Sequence, residues 1–196
     1  VFLKREIGMI CGVDEAGRGP WAGPVTAGAV ILDPDQPIDG LTDSKKLSEA
    51  QREAIYPEIR AKAVTFGIGW ASPEEVDRLN IRQATFLAMS RAIAIMGLTP
   101  RELIIDGNCL PQGLPCPARA IIKGDLTEPA ISAASILAKV ARDRAMAELC
   151  ARYPGYGFSQ HKGYGTAAHS SALEMLGPCG CHRKSFAPVA RALRAA

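Results

Sequence analysis

Acidic side chains close three apolar runs of this chain. Asp14 and Glu15 follow Met9-Ile10-Cys11-Gly12-Val13, Asp106 follows Leu103-Ile104-Ile105, and Asp125 follows Ile121-Ile122-Lys123-Gly124. A carboxylate at the end of a buried strand is costly unless it is paired, hydrogen-bonded or bound to a cation. If these strand ends are neighbours in one sheet, the carboxylates converge, and their mutual repulsion calls for a divalent ion. Oxygen ligands without His or Cys favour Mg²⁺ or Mn²⁺ over zinc. Carboxylate clusters of this kind hold one or two metals for in-line attack on phosphodiesters. Taken singly, each acid is as easily the cap of a loop or turn; the three strand ends together carry the metal reading. One geometric difficulty stands. Adjacent strand residues point to opposite faces, so Asp14 and Glu15 face the cluster together only if Ala16-Gly17-Arg18-Gly19-Pro20 turns one back, or if one ligates through its carbonyl.

The elements that must position these acids are readable from periodicity. Ile7–Val13 and Val25–Leu32 are short β-branched runs, and the Gly/Pro-rich stretch between them is too short for a crossover helix, so they predict an antiparallel pair. Ser48-Glu49-Ala50-Gln51 is a capping box opening a helix that Pro57 should kink or split. Val64, Phe66, Ile68 and Trp70 alternate with Thr65, Gly67 and Gly69, which predicts a third strand. Ser72-Pro73-Glu74-Glu75 opens a second helix, a longer one runs from about Ile81 to Met96, and Gly97 stops it. Leu103–Asp106 and Ala120–Ile122 are further short strands. The strongest helix spans Ile131–Cys150, with Ile131, Ser135, Ala138, Arg142, Ala145 and Leu149 on one track and small residues suited to close packing on a sheet. Residues 153–186, rich in Gly, aromatics and His, read as an irregular segment laid over the body. The pattern is that of an α/β chain on one mixed sheet, without an internal repeat or an obvious linker.

Composition excludes other classes. With 196 residues, 47% hydrophobic and 22% charged, the chain has globular proportions. No run of eighteen apolar residues occurs, so no membrane span is expected. Val1–Glu6 lacks a basic stretch followed by a long apolar core, so no signal peptide is expected, and the six cysteines read as free thiols of a cytoplasmic protein. The net charge of +3 is unevenly spread. Residues 1–149 carry 17 basic and 19 acidic side chains, a net −2, whereas residues 150–196 carry 6 basic and 1 acidic, a net +5. A basic end on a near-neutral body suits a polyanionic partner. Gly17-Arg18-Gly19-Pro20-Trp21-Ala22 formally fits a dinucleotide fingerprint, but that motif needs a helix next, and Val25–Leu32 is β-rich, so the reading is rejected. The glycines instead admit a ligand close to the backbone, with Arg18 available for a phosphate.

The motifs Gly12-Val13-Asp14-Glu15-Ala16-Gly17-Arg18-Gly19-Pro20, Asp43-Ser44-Lys45-Lys46-Leu47-Ser48, Ile105-Asp106-Gly107-Asn108, Lys123-Gly124-Asp125, Ile131–Arg144 and His161-Lys162-Gly163-Tyr164-Gly165-Thr166 resemble, in order, bacterial ribonuclease HII, the type 2 ribonuclease H. The resemblance runs through nearly the whole chain. It implies a ribonuclease H-like fold, a five-stranded mixed sheet flanked by helices with further C-terminal helical elements, spanning 1–196 as one catalytic domain with a basic segment from about 153. It implies an endonuclease that cuts the RNA strand of RNA–DNA hybrids, and cuts 5′ of ribonucleotides embedded in duplex DNA. Asp14, Glu15, Asp106 and Asp125 match the family's catalytic, metal-holding acids, for one or two Mg²⁺ or Mn²⁺ ions. Gly17, Arg18 and Gly19 match the element that contacts the ribonucleotide 2′-hydroxyl and adjoining phosphate. Tyr164 matches the tyrosine that packs against the next deoxyribose, and reading the 2′-hydroxyl is what separates RNA from DNA.

The expected chemistry is metal-assisted hydrolysis leaving 3′-hydroxyl and 5′-phosphate ends. Lys45, Lys46 and Lys162 are candidates for flanking phosphates, set against solvated surface lysines. Arg183, Lys184, Arg191 and Arg194 are expected to add salt-sensitive affinity or to solvate a terminal helix. His161 is expected to be structural rather than a proton shuttle, and Trp21 and Phe158 are expected to pack. A monomer is expected. Cys179-Gly180-Cys181-His182 lies outside the family pattern; it looks like half a zinc site, but His169 is the only further candidate nearby, and the reading here is incidental. Residues 109–117, Pro- and Cys-rich, separate two expected strands. Two other classes are weighed: a non-catalytic hybrid-binding module, which has no need of four strand-end acids, and an exonuclease, which normally spaces its first two acids one residue apart.

Overall fold

The computed structural model describes residues 9–195. Strands β1 (Ile10–Ala16), β2 (Val25–Ile31), β3 (Thr65–Ala71), β4 (Glu102–Asp106) and β5 (Ala118–Ile121) form one sheet in the order β3-β2-β1-β4-β5. The first three are antiparallel neighbours, while β4 pairs parallel with both β1 and β5. The expected mixed sheet and antiparallel first pair are present. The helices are α1 (Glu49–Lys62), α2 (Pro73–Leu79), α3 (Ile81–Ile95), α4 (Gly124–Thr127), α5 (Pro129–Arg152), α6 (Phe158–His161), α7 (Ala167–Leu176) and α8 (Ala187–Ala195). The readings of Val1–Glu6, and of Ile7 and Gly8 as strand, lie outside the described residues.

Strand alternation sorts the core into two layers. Cys11 and Val13 of β1, Val25, Ala27, Ala29 and Ile31 of β2, and Leu103 and Ile105 of β4 face α3, where Ala84, Ala88, Met89 and Ala92 meet them. On the other face Val30 joins Ala133, Ala134, Ile136, Leu137 and Val140 of α5 and Tyr56 and Ile59 of α1. Each large aliphatic buried in this way stabilises by roughly 1.5–3 kcal/mol. The approach of α5 is closest over β1 and β2. A Cβ at Gly12 would stand 2.1 Å from the carbonyl carbon of Ala130, and one at Gly28 2.3 Å from the Ala134 carbonyl oxygen. Only glycine admits a helix backbone at that distance, and it brings α5 down onto the strand that ends in the acids.

The predicted caps form. Ser48 and Ser72 accept from the backbone N–H of Gln51 and Glu75, whose side chains accept in return from the cap N–H groups. Pro57 does not split α1. Its missing donor and ring clash cost about 3 kcal/mol, and Tyr56 and Ile59, buried on either side of it, offset a comparable amount. In β3 the alternation is the reverse of a simple apolar-inward pattern. Gly67, Gly69 and Ala71 are buried under α3, while Trp70 is 36% exposed, because a Cβ at Gly67 or Gly69 would already collide with the α3 backbone. The stretch 153–186 is less irregular than its composition implies. It contains α6 and α7, the latter capped by Thr166, whose side chain accepts from the His169 N–H.

Candidate active site

The four acids come from three places at one edge of the sheet. β1 remains a regular strand through Ala16, so of the two ways round the facing problem, a turn of the chain at Asp14 or Glu15 does not occur. Asp14 points to the α5 face beside Gly28, and Glu15 to the other face. The geometric difficulty is resolved by Asp106. The β1–β4 pairing ends at Val13 and Ile105, so Asp106 sits at the strand margin beside both acids. Its Oδ1 accepts the Gly124 N–H at 2.8 Å, which ties β4 to the turn carrying Asp125. Asp125 is not a strand terminus: β5 stops at Ile121, Lys123 adopts a left-handed conformation (φ 58°), and Asp125 lies in α4.

Charge crowding confirms that these acids share a neighbourhood. Burial, then the charges of Glu15 and Asp106, push the Asp14 carboxyl well above the usual range. Burial also raises Glu15, with Arg18 opposing and Asp106 adding to the shift. Asp125 is raised by burial, then by Asp106 and Asp43, against Lys45. Lys45 is the counterpart. Burial works against its charge, but Asp14, Asp43, Asp125 and Asp106 together hold it above the ordinary lysine value. No three of the four acids bring oxygens within 4.8 Å of one another; among the described residues, the set that does is Cys179, Cys181 and His182. Asp14 and Glu15 lie on opposite faces of β1, and Asp106 and Asp125 come from two further elements. The donor set, all oxygen and carrying excess negative charge, fits a hard divalent cation.

The remaining sequence candidates are placed unequally. Gly17 has φ 93°, and a Cβ there would run into the Arg142 guanidinium at 2.0 Å from Nε. A Cβ on Gly19 would stand 3.5 Å from the Tyr164 ring, so the tyrosine does lie against the Gly17–Gly19 element. Arg18, half-exposed, reaches Glu15 at 3.3 Å. Glu15, Arg18, Asp106, Gly107 and Asn108 line a cleft of about 310 Å³ whose far wall is Arg82, Thr85, Phe86 and Met89 of α3. Lys45 therefore joins the acids. Lys162 instead sits 3.4 Å from Glu49 at the start of α1, and Lys46, exposed like Lys45, makes no ion pair with the acids among the described residues. His161 is structural as expected, its Nε2 2.7 Å from the Tyr156 carbonyl and its Nδ1 accepting the Gly163 N–H. Phe158 is fully buried, and Trp21 packs against the His169 ring.

Arg183 requires correction. It is not a solvated cation of the tail but 0% exposed, donating to the carbonyls of Gly17, Arg18 and Gly23 at 2.6, 2.9 and 3.0 Å. Arg142, 1% exposed, donates likewise to Pro24, Lys162 and Ala22. Together they are the floor on which the glycine element and the Tyr164 segment rest. Lys184, Arg191 and Arg194 are exposed. Five other residues form a network to which sequence reasoning gave no role. Ser44 Oγ meets Ser135 Oγ at 2.8 Å, Arg52 donates to the Ser44 carbonyl, and buried Asp143 pairs with Lys139 at 2.6 Å and with Arg52 at 3.7 Å. This network pins the Asp43–Leu47 segment, and so Lys45, to α5. Ser135 and Arg142 had a signal, since both lie on the helix track with apolar and small residues. Arg183, in a basic coil, had none.

The sequence profile of the ribonuclease HII family matches residues 11–189. A ribonuclease HII of Hyphomonas neptunium is 64% identical over 95% of this chain and 97% of its own length. One from Laribacter hongkongensis is 60% identical over 94% and 93%. Among solved structures, the ribonuclease H2 of Pyrococcus horikoshii superposes with a TM-score of 0.80 at 25% identity, covering 95% of this chain and 97% of that one. The ribonuclease HII of Archaeoglobus fulgidus, solved in complex with PCNA, superposes with a TM-score of 0.75 at 26% identity, covering 91% and 95%. A Bst ribonuclease HIII at 19% identity shares the fold, with a TM-score of 0.72 over 95% of this chain and 70% of its own. The sheet order, the acids at its edge and these likenesses agree: the chain belongs to the ribonuclease HII family, the type 2 ribonucleases H.

Proposed function

We propose that Asp14, Glu15, Asp106 and Asp125 are the catalytic acids of this ribonuclease, holding one or two Mg²⁺ or Mn²⁺ ions, and that residues 1–196 act as one catalytic domain. As a ribonuclease HII, the enzyme cleaves the RNA strand of RNA–DNA hybrids and cuts at ribonucleotides embedded in DNA. The observation that carries the site assignment is the crowding of Asp14, Glu15, Asp106 and Asp125, each shifted by or shifting the others, at the edge where β1 and β4 end. When bound, the cation supplies Lewis-acid help to the attacking water and to the leaving 3′-oxygen. The protein's own groups supply the rest. Asp106, fixed by the Gly124 N–H, orients the shared carboxylate edge, and Arg18 stands at the cleft mouth for a phosphate. Gly17 and Gly19 leave the backbone bare for the 2′-hydroxyl, and the Tyr164 ring, beside Gly19, is placed to pack against the next deoxyribose. Lys45, seated among the acids, neutralises charge there and is positioned to meet a phosphate beside the cut.

Closed circular duplex carrying one ribonucleotide, incubated with Mg²⁺, tests the reading. Nicking 5′ of the ribonucleotide, with 3′-hydroxyl and 5′-phosphate ends, is expected. Intact circles that shift on a gel would mean a binder, and cutting only from free ends would mean an exonuclease. All-RNA and all-DNA strands in the same assay separate sugar recognition from general nuclease activity.

A further inference from the structure

The other concentration of ligand-type side chains lies in the loop after α7. Cys179 Sγ is 3.4 Å from Cys181 Sγ and 3.1 Å from His182 Nδ1, with all three ligand atoms within 4.8 Å of one another. Zinc binds thiolate at about 2.3 Å and imidazole at about 2.0–2.1 Å, so atoms this close can share one ion. Cys181 and His182 are buried and Cys179 is partly exposed, which leaves an open side. All the cysteines among the described residues are free.

We propose that Cys179, Cys181 and His182 form a three-ligand site for a soft or borderline divalent cation of the zinc class, chemically distinct from the carboxylate site. Two sulfurs and an imidazole select such an ion against Mg²⁺ and Mn²⁺, which prefer oxygen. His169, the only further candidate near this group in the sequence, takes a different place in the structure. The Cys179 N–H donates to His182 Nδ1 at 3.0 Å, so that nitrogen carries a lone pair. His182 Nε2 then carries the proton and donates to His169 Nε2 at 3.1 Å, and His169 Nδ1 in turn donates to the Tyr164 carbonyl at 2.9 Å. This assignment gives every ring nitrogen a partner of the opposite kind. It is the arrangement of a metal-ligating histidine whose far N–H is held by an outer partner. An ion displaces the Cys179 N–H from that lone pair and takes water as its fourth ligand, on the Cys179 side. The loop it would staple is already laid along segment 21–23, with Gly23 N–H to the Cys181 carbonyl at 2.9 Å and Arg183 N–H to the Trp21 carbonyl at 2.8 Å. Occupancy would therefore stiffen both the Arg183 anchor of the glycine element and the backbone at Tyr164.

The test titrates Co²⁺, as a spectroscopic stand-in for zinc, into reduced full-length protein. One equivalent should give a thiolate-to-cobalt charge-transfer band and the intense visible bands of tetrahedral cobalt. Both should vanish in Cys179→Ser and in Cys181→Ser and persist in Asp106→Asn, which lacks an acid but keeps the loop. Saturating Zn²⁺ should raise the Tm of wild type by roughly 5 °C and leave the two serine variants unmoved. Circular dichroism checks that all three variants fold, Mg²⁺-dependent nicking checks the two serine variants, and Cys179→Ser, at the partly exposed position, serves if the buried Cys181→Ser does not fold. No thiolate band in reduced protein overturns the site. So does a band that survives Cys179→Ser, or an intact mass two hydrogens low that marks Cys179 and Cys181 as a disulfide resistant to reduction.

Discussion

At the acid end of the cleft, the proposed catalytic acids stand on regular strands and a short helix, and their charges repel. At the loop end, the Gly17–Gly19 element is irregular backbone, and what holds it is charge of the opposite sign buried beneath. Asp14, Glu15 and Asp106 need only the register of β1 and β4 to meet. Gly17–Gly19 has no ladder of its own; six of the carbonyls in and around it are collected by Arg142 and Arg183. Two buried guanidiniums side by side are costly, and burial lowers the pKa of both. A planar fork of donors repays that cost where one cation must satisfy several carbonyls at once. The acid end thus crowds like charges together, and at the loop end buried cations fix the backbone shape.

The comparison breaks most sharply at Asp106. Asp106→Asn should lower cleavage roughly 10³-fold or more while duplex binding stays near wild type, since the amide can still accept the Gly124 N–H. Lost binding with residual cutting, in parallel gel-shift and nicking assays, would contradict the assignment. At the loop end, Arg183→Ala should act on stability. Three carbonyls lose their donors and a buried side chain leaves a cavity, costing about 3–5 kcal/mol in chemical denaturation. A loss under about 1 kcal/mol would mean that water or a neighbour replaces it. Tyr164→Ala should slow cutting at a single embedded ribonucleotide roughly 10–100-fold, with a smaller effect on all-RNA strands. An unchanged single-ribonucleotide rate would remove Tyr164 from recognition.

The smallest effect sharpens the contrast through pH. Burial and like charge raise the native pKa of Asp14, so the native state holds that proton more tightly than the unfolded chain. Its contribution is therefore destabilising above the native pKa and fades as pH falls towards the unfolded value near 4. Asp14→Asn should raise the Tm of metal-free protein by a few degrees at neutral pH, with the gain disappearing near pH 4. A lower Tm at neutral pH would show that the carboxylate is net stabilising even without an ion.

Much of the architecture was legible because its signals are local. Short β-branched runs marked β1 and β2, alternation marked β3, and serines followed three residues later by Gln or Glu marked the starts of α1 and α2. The small residues of α5, Ala133, Ala134, Ala138 and Ala141, anticipated its close approach to the sheet. What was not legible depended on competing neighbours. The inner face of β3 is its glycine face because α3 leaves no room for more. Pro57 stays within α1 because Tyr56 and Ile59 anchor both sides of it. Asp125 belongs to a helical turn because Lys123 turns left-handed just before it.

Residue type and order along the chain by themselves determined which acids are available, which glycines can lie under a ligand, and most of the runs that form strand or helix in the body of the domain. Those properties follow from side-chain chemistry and from periods of two and 3.6 residues. Tertiary structure decided which cations are buried and which loops share a site. Arg183 reaches Gly17 across 166 residues of sequence, and the His182–His169–Tyr164 chain is assembled by loops with no period at all. Contacts of that kind are set by how the loops close over the sheet, and no local pattern encodes them.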